Sequence, residues 1–333
     1  MRIGRVLLRV VIATLLLGLI SCRSKDSIKN SGDITPPIGL AFSIPSGDAL
    51  YFDLITHDIV QQYHLDDWQI TIAEVHPSGN WVAAADGVNN RVAVFTLPAL
   101  GIMGSHMLSG VPADVHMSLS GHQVYAITNN GSFWAITLAT GEIDTIDVML
   151  NPRRMAFRPP SRQEVWVACP FNQTIYILDL IQRSLMDTIA FADPPSDVVF
   201  SPDGIKAYAA FESNPGYLLV LNAESHSVES SREIGLGSYD LDASPNGRYI
   251  AAADSTQGTV HLWDITTDSL WTVPVDPFPS RVRFLRDTPA FFVLSHCGQR
   301  ILHCQIGAAG PVVVDTVDVT PTVFEFVIWE GIH

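Results

Sequence analysis

The sequence predicts an all-β protein, a seven-bladed β-propeller of four-stranded antiparallel blades. Three observations predict it: a turn motif that recurs at intervals of 40 to 43 residues, four strand-like segments in each period, and a C-terminal segment that completes a period begun near the N-terminus. Of the 333 residues, 47% are hydrophobic and only 16% are charged. This balance suits sheets that pack face to face around one axis.

The turn motif is clearest within residues 197–211, where the sequence Ser-Pro-Asp-Gly at 201–204 stands between two apolar runs. Proline presets the turn dihedral, aspartate can accept a hydrogen bond from the following backbone, and glycine can take a positive φ. The glycine position of the successive copies is held by Gly79, Gly121, Ser161, Gly204, Gly247 and Thr288. These positions are 42, 40, 43, 43 and 41 residues apart, a period typical of one propeller blade.

Each turn is followed by further strand-like runs. The apolar run 217–222 leads into the polar segment 224–228, and the run 174–179 leads into 182–185 in the same way. Runs of alternating apolar residues separated by polar turns are typical of antiparallel strands. Each period therefore contains four strands.

The C-terminal residues 321–331 resemble the first strand and turn of one more unit, because Gly331 lies 43 residues beyond Thr288. Residues 38–44 and 48–59 supply the second strand, and the third and fourth strands, of the same unit. A C-terminal strand that joins the N-terminal blade leaves no open sheet edge between the first and last blades. We therefore predict one seven-bladed domain over residues 38–333.

The first 21 residues have a basic start and an apolar run at 10–20 that is too short to span a bilayer comfortably. The run ends in Leu-Ile-Ser-Cys at 19–22. This segment resembles a bacterial lipoprotein signal peptide with its lipobox, which implies that Cys22 is lipidated and begins the mature protein. The alternatives are an uncleaved anchor and a plain signal peptide with a chance cysteine.

Residues 22–37 are rich in Ser, Asp, Lys, Asn and Pro and lack an apolar period, so we expect a flexible tether between lipid and propeller. Arg23 follows the cysteine, where an aspartate favours retention in the inner membrane. The lipoprotein resemblance thus implies an extracytoplasmic protein of the cell envelope, at the outer membrane if the host has one.

The charge balance is acidic. Removing the three arginines of residues 1–21 from the 19 basic residues leaves 16, against 34 acidic residues, and a net charge of −18. No basic stripe is available to neutralise phosphates, so we expect no nucleic-acid partner. Binding to anionic lipid by charge is disfavoured for the same reason. Solubility outside the cytoplasm explains the excess of acids more simply than a cationic ligand does.

The repeat resembles the YVTN/YncE-like seven-bladed propellers of bacteria, and the resemblance covers about residues 38–333. Its best copies are residues 198–222 and 243–267. The dipeptide Trp263-Asp264 is similar to that of WD40 repeats, but their Gly-His partner is absent from the blades, so this family ranks second. The resemblance implies the architecture and no particular activity, because one propeller scaffold carries many functions.

No catalytic motif is present: the chain lacks a G-x-S-x-G elbow, an H-E-x-x-H pair and a P-loop. We therefore predict no cofactor, no metal and no catalytic residue. Propeller ligands commonly bind where the loops entering the innermost strands converge. Equivalent positions at these entries hold the candidate ligand-binding residues Asp114, Arg154, Asp197, Asp240 and Arg281, with Ile72 and roughly Val323 completing the ring. The simpler interpretation is that these charges are solvated or pair with neighbouring loops.

Three cysteines remain after lipidation, an odd number for an oxidising compartment. A two-residue turn at 298–299 would keep Cys297 and Cys304 too far apart for a disulfide, whereas a longer loop would bring them opposite each other. A metal site with His296 and His303 is disfavoured, because neighbouring residues of a strand point to opposite faces.

These observations favour a lipid-anchored, extracytoplasmic propeller that acts as a binding or scaffolding module for an envelope protein or a small ligand. The alternative is a lactonase-like or quinoprotein-like propeller enzyme with its site at the central mouth. Only the family resemblance supports this alternative.

Overall fold

The computed structural model describes residues 34–148, 150–320 and 322–330, and its strands form seven antiparallel sheets of four strands each. The predicted all-β, seven-bladed propeller is confirmed. The predicted signal peptide 1–21, the lipidation site Cys22 and most of the tether lie outside the described residues. Within the described ranges, no helix has both the length and the apolar character needed to cross a membrane.

Blades 1 to 6 follow one another along the chain, and in each the first strand lies innermost, in contact with the first strands of its neighbours. Blade 1 contains β4 (Ile70–Val75), β5 (Trp81–Asp86), β6 (Arg91–Thr96) and β7 (Ile102–Met107). Blade 2 contains β8 (Pro112–Met117), β9 (Gln123–Thr128), β10 (Ser132–Thr137) and β11 (Ile143–Asp147). Blade 3 contains β12 (Arg154–Phe157), β13 (Glu164–Cys169), β14 (Thr174–Asp179) and β15 (Ser184–Ala190), with a short 3₁₀ turn at Pro170–Asn172.

The other blades have the same order. Blade 4 contains β16 (Pro195–Phe200), β17 (Lys206–Phe211), β18 (Tyr217–Asn222) and β19 (Val228–Glu233). Blade 5 contains β20 (Ser238–Ala243), β21 (Tyr249–Asp254), β22 (Thr259–Asp264) and β23 (Ser269–Pro274). Blade 6 contains β24 (Pro279–Phe284), β25 (Ala290–Ser295), β26 (Arg300–Gly307) and β27 (Gly310–Asp318). Blade 7 contains β28 (Val323–Trp329), β1 (Ile38–Ser43), β2 (Asp48–Asp53) and β3 (Ile59–His64).

Blade 7 joins the two ends of the described chain. Its innermost strand β28 pairs antiparallel with β1, with Ile38 opposite Trp329 and Phe42 opposite Glu325. The predicted closure of the ring by a C-terminal strand is therefore confirmed. The predicted turn glycine Gly331 lies outside the described residues.

The alternating strand directions give the propeller two distinct faces. On one, which we call the entry face, lie the loops that enter each first strand and the loops between second and third strands. On the other, the turn face, lie the turns that carry the repeated motif and the turns between third and fourth strands. Because β1 is a second strand, residues 34–37 reach the propeller at the turn face.

The motif turns have the conformation that their sequences predict. The turn glycines of blades 1, 2, 4 and 5, which include Gly204, have φ between 69° and 71°. A Cβ at Gly204 would lie 2.0 Å from the carbonyl oxygen of Pro159, so glycine also lets neighbouring turns approach. In blade 3 the positive φ falls on Arg162 rather than on Ser161. The amide of Arg162 donates to the Arg158 carbonyl four residues back, and this turn is one residue longer than that of Gly204.

Among the described residues, the core consists of seven apolar clusters, each between two neighbouring blades. Phe52, Phe292 and Phe326, for example, are fully buried between blades 6 and 7. Burial of these sheet faces supplies the main stabilising force, and it depends on every blade having a neighbour on both sides.

Candidate functional site: the charged axial ring and the cavity below it

A ring of charged residues surrounds the propeller axis near the entry face. Each innermost strand contributes one residue to this ring. In strands β4, β8, β16, β20 and β24 a β-bulge shifts the register immediately before that residue. The bulge turns the following side chain toward the axis. The positions so aligned, which we call the axial ring, are Ile72, Asp114, Arg154, Asp197, Asp240, Arg281 and Glu325.

The seventh position of the ring differs from the expected one. The bulge of β28 places Ser43 opposite Val323 and Phe42 opposite Glu325, so Glu325 is the residue that follows the bulge. Sequence alignment of the loops suggested Val323, because the extra residue of the bulge is not visible in the sequence. The ring therefore gains a fourth carboxylate, which is 1% exposed.

The ring carboxylates connect neighbouring blades. Asp114 accepts a hydrogen bond from the backbone amide of Met155 at 2.9 Å, and Asp197 accepts one from Leu241 at 2.7 Å. Asp240 accepts one from Val282 at 2.9 Å. Each bond runs from one innermost strand to the next. Because charge-assisted bonds to buried amides are strong, these three aspartates hold the blades in register.

Arginines complete the ring. The Arg281 Nε donates to Glu325 at 2.8 Å, and Arg283, two residues further along β24, donates to Asp240 at 2.6 Å. The Arg154 guanidinium lies 3.6 Å from Asp240 and 3.9 Å from Asp114, and its Nε has no hydrogen-bond partner. The ring is therefore largely paired internally, and Arg154 is its least satisfied member.

The two neighbouring aspartates of the ring differ in proton affinity. Burial opposes ionisation of Asp240, but the guanidinium groups of Arg283, Arg281 and Arg154 keep its pKa below the usual value. Burial and the Asp240 charge raise the pKa of Asp197 to about 7. When two carboxyl groups share one desolvated site, the charge of one raises the pKa of the other. Asp197 therefore holds a proton more readily than Asp240 does.

A second tier of charged residues lies two positions further along the innermost strands, on the same strand face. His116 lies between two carboxylates, with Nδ1 3.0 Å from Glu74 and Nε2 3.6 Å from Asp114. Arg162 also contacts Glu74, at 3.4 Å. Although burial opposes both shifts, these charges lower the pKa of Glu74 to about 2 and raise that of His116 to about 10. Burial raises the pKa of Asp242, across the axis, to about 6.

This tier was not among the residues predicted from the sequence. The period of two along a strand would have found it, because Glu74, His116, Asp242 and Arg283 each stand two residues after a ring position. His116 contacts carboxylates of two neighbouring innermost strands, Glu74 on β4 and Asp114 on β8.

A cavity of about 440 Å³ extends along the axis between the innermost strands. Its charged wall contains the ring carboxylates and the second tier, and its apolar wall includes Phe157, Phe200 and Phe284. Residues of the motif turns, such as Pro159 and Pro245, also line it, whereas the loops of the entry face do not. The cavity thus opens at the turn face, and the axial ring lies at its inner end. The predicted ligand-binding role of the ring residues stays a prediction.

The entry face carries a different feature, a set of exposed large apolar side chains. Phe171, in the 3₁₀ turn of blade 3, is 71% exposed, and Phe278, which precedes β24, is 56% exposed with φ at 60°. A positive φ is unusual for an aromatic residue. We call the full set the apolar entry surface: Val88, Met107, Val111, Leu150, Phe171, Leu236, Phe278 and Phe324. Four comparable residues lie in the described turns of the turn face, Ile55, Leu119, Ile181 and Ile205, and three more, Ile102, Ile143 and Val228, lie at strand ends there.

None of the three cysteines of the described chain forms a disulfide. Cys169 and Cys304 are buried, and Cys297 is exposed in the turn between β25 and β26. The register places Cys304 opposite Phe291, and the turn closes with Ser295 opposite Arg300. The hairpin therefore does not bring Cys297 and Cys304 together. Among the described residues, no group of three or more His, Cys, Asp or Glu side chains is arranged to hold a metal.

Comparison with known proteins supports the fold. The chain matches the WD40 family (WD domain, G-beta repeat) over residues 233–264, most of which lie in blade 5. No curated protein matches the chain. A functionally unknown protein from Desulfotomaculum acetoxidans is similar in structure, with a TM-score of 0.75, 13% identity, and coverage of 89% of this chain and 100% of the other. Hydrazine synthase from Kuenenia stuttgartiensis gives a TM-score of 0.66 at 16% identity, over 72% of this chain and 78% of the other. At these identities the similarities show the propeller fold alone.

Proposed function

We propose that this protein is a membrane-anchored, extracytoplasmic propeller that binds a protein partner through its entry face. The propeller fold suits protein binding or scaffolding, and the apolar entry surface is the observation that carries the proposal. Large apolar side chains grouped on one face of a soluble domain mark interaction sites. Both exposed loop phenylalanines, Phe171 and Phe278, lie on the entry face, and the described loops of that face hold six such side chains against four in the turns of the turn face.

The lipobox-like sequence ending in Cys22 supports the anchoring. The described chain begins at the turn face, because residues 34–37 precede the start of β1 there. A lipid on Cys22 would hold the protein from that side. The entry face would then point away from the membrane and remain available to a partner.

Charge defines the kind of partner. The described loops of the entry face contain one arginine, Arg153, which is paired with Glu212. The acidic residues of the same loops are Asp66, Asp67, Asp193, Glu212 and Asp276. A partner that presents apolar side chains within a basic rim would complement both the apolar and the acidic character of this face.

The test is capture of partners from the native envelope with the full-length lipidated protein. Phe171→Ser together with Phe278→Ser removes two exposed aromatic side chains of the apolar entry surface. Ile181→Ser together with Ile205→Ser is the matched control, since both isoleucines are more than half exposed on the turn face. We expect the first pair to abolish a specific interaction that the second leaves intact. Equal capture by both variants would contradict the proposal.

The anchor has a separate test. A Cys22→Ser protein should lose its partition into membranes while folding normally, since residue 22 precedes the described propeller. Unchanged partition would contradict lipidation and leave the protein-binding proposal standing.

The axial cavity favours a second candidate function, binding or turnover of a small ligand, as in propeller enzymes. Its walls hold two carboxyl groups whose pKa values burial raises into the range of general acid–base chemistry, Asp197 to about 7 and Asp242 to about 6. Thermal unfolding of wild type and Asp242→Asn with a library of envelope metabolites tests this candidate. A ligand that stabilises the wild type and not the variant would support it.

A further inference from the structure

The described side chains around the axial cavity carry one more negative charge than positive charge. At the mouth of the cavity, Arg286 and Glu330 add one charge of each sign. Although burial opposes it, Glu74 and Asp114 raise the pKa of His116 to about 10, so His116 is a cation near neutral pH. The carboxyl groups of the axial ring and the second tier are Glu74, Asp114, Asp197, Asp240, Asp242 and Glu325, and the bases are Arg154, Arg162, Arg281, Arg283 and His116. When all six carboxyl groups are ionised, the five cations leave a net charge of −1.

Within the described chain, two of these carboxyl groups have no basic partner within 4 Å. Asp197 accepts hydrogen bonds from two backbone amides, both at 2.7 Å. Asp242 also accepts two, at 2.9 Å and 2.7 Å. Each of the other four carboxyl groups has an arginine or a histidine within 4 Å. The uncompensated charge therefore lies on the wall that β16 and β20 form.

Asp197 and Asp242 are neighbours on this wall. One of the amides that Asp197 accepts belongs to Leu241, the residue just before Asp242. Asp197 is only 4% exposed, and both side chains line the cavity. Burial and the Asp240 charge raise the pKa of Asp197 to about 7, and burial raises that of Asp242 to about 6. Such shifts show that a negative charge here lacks a partner, and that a proton supplies one near neutral pH.

The part of the cavity nearer the turn face is apolar. Phe157, Phe200 and Phe284 line it, and so do Pro159 and Pro245 of the motif turns. The volume of about 440 Å³ lies within the range of sites that bind small organic molecules. An inorganic cation would neutralise the carboxylates but leave the apolar wall without a contact. A molecule with a cationic end and an apolar body would satisfy both parts of the cavity.

We propose that the axial cavity binds a small organic ammonium ion, with its amino group against Asp197 and Asp242 and its apolar body against the phenylalanines nearer the turn face. The inference rests on the second candidate function, ligand binding in this cavity, and names the class of ligand. An ammonium group donates up to three hydrogen bonds, and the two carboxylates have lone pairs left to accept them. Charge-assisted bonds of this kind are strong in a desolvated site.

Titration calorimetry of the full-length protein in detergent, at pH 8 and with sodium chloride present, tests the class of ligand. The three probes share a phenyl ring on a two-carbon chain and differ in charge: 2-phenylethylamine, 2-phenylethanol and 3-phenylpropionate. We expect the amine to bind at least about tenfold more tightly than the alcohol or the carboxylate, because only the ammonium group forms charge-assisted bonds with the two aspartates. This comparison uses the wild-type protein alone.

A variant locates the bound amine. Asp242→Asn keeps the shape of the side chain and should bind the amine no better than the alcohol. Asp287→Asn is the matched control, because it removes an exposed carboxylate of the turn face that does not line the cavity, and its affinity for the amine should equal that of the wild type. Equal thermal unfolding of both variants and the wild type would show that the fold is kept.

The outcomes separate the class of ligand from the existence of a ligand site. Equal or tighter binding of 2-phenylethanol or 3-phenylpropionate would overturn the ammonium assignment and leave ligand binding in the cavity standing. Full affinity of Asp242→Asn for the amine would overturn the assignment as well, because the amine would then bind elsewhere. So would the absence of binding by all three probes, and the metabolite screen would then decide the second candidate function on its own.

Discussion

Replacing Asp240 by asparagine tests the role of the axial ring most directly. Asp240 is 2% exposed and accepts hydrogen bonds from Val282 and Arg283, and Arg154 and Arg281 lie within 4 Å. Asparagine keeps the shape and one acceptor but removes the charge that these arginines share. Breaking a buried ion pair from one side costs about 3–5 kcal/mol.

We expect a loss at the lower end of this range, about 3 kcal/mol, because the structure contains a compensating group. The charge of Asp240 helps to raise the pKa of Asp197. Without that charge the pKa of Asp197 falls, and its carboxylate can take over part of the pairing with Arg154. A loss of this size is a large fraction of the roughly 5–15 kcal/mol by which domains are stable.

Urea unfolding at pH 7, followed by tryptophan fluorescence, measures the effect. Asp318→Asn is the matched control: it removes an aspartate 3.1 Å from Arg300, but the Asp318 side chain is 79% exposed. An exposed pair contributes about 0–1 kcal/mol, so the control should unfold close to the wild-type midpoint. Equal midpoints for Asp240→Asn and the wild type would refute the role of Asp240 in holding neighbouring blades together. The ring carboxylates would then be available to bind a ligand.

Three further predictions concern closure, packing and pH. Deleting residues 320–333 should abolish cooperative thermal unfolding, because β1 and the core between blades 6 and 7 lose β28; a fully stable truncated domain would contradict the closure. Gly39→Ala should lower the free energy of unfolding by about 1–3 kcal/mol or more, since its Cβ would lie 1.9 Å from the Phe52 ring. Gly104→Ala, with its nearest neighbour at 3.8 Å, should be close to neutral in the same denaturation assay. The His116–Glu74 pair should stabilise the fold most between about pH 4.5 and 6.5. Because folding lowers the pKa of Glu74, its contribution to the free energy of unfolding is complete above pH 4.5 and is lost as the pH falls toward 2. Because folding raises the pKa of His116, its contribution is complete below pH 6.5 and is lost as the pH rises toward 10. Unfolding free energies of His116→Gln and wild type, measured from pH 3 to 10, should differ most in that window, and a difference independent of pH would contradict the pairing.

The repeat could be found from the sequence because turn chemistry is local. Gly204 and its counterparts mark the turns, and their spacing gives the number of blades and the closure by β28. Features that depend on a single extra residue could not be found. The bulge of β28 moves Glu325 into the ring, and the longer turn of blade 3 moves the positive φ to Arg162. Neither insertion disturbs the apolar pattern enough to be visible.

The candidate site was partly accessible from the sequence. Alignment of the loops found Asp114, Asp197 and Asp240, whose side chains do meet around the axis. Their pairing with backbone amides of the next blade depends on the distance between innermost strands, which no sequence pattern reports. The apolar entry surface could not be predicted from the sequence either, because its members come from separate loops.

The shared blade has a consequence for synthesis. Strand β1 begins at residue 38 and its partner β28 at residue 323, so 285 residues are translated between them. At about 5–20 residues per second, this takes roughly a quarter of a minute to a minute. During that time Leu40 and Phe42, fully buried in the finished ring, have no partner strand on that side. A chain built in this way cannot reach its stable form while it is still being made, and its first strands need protection until the last one emerges.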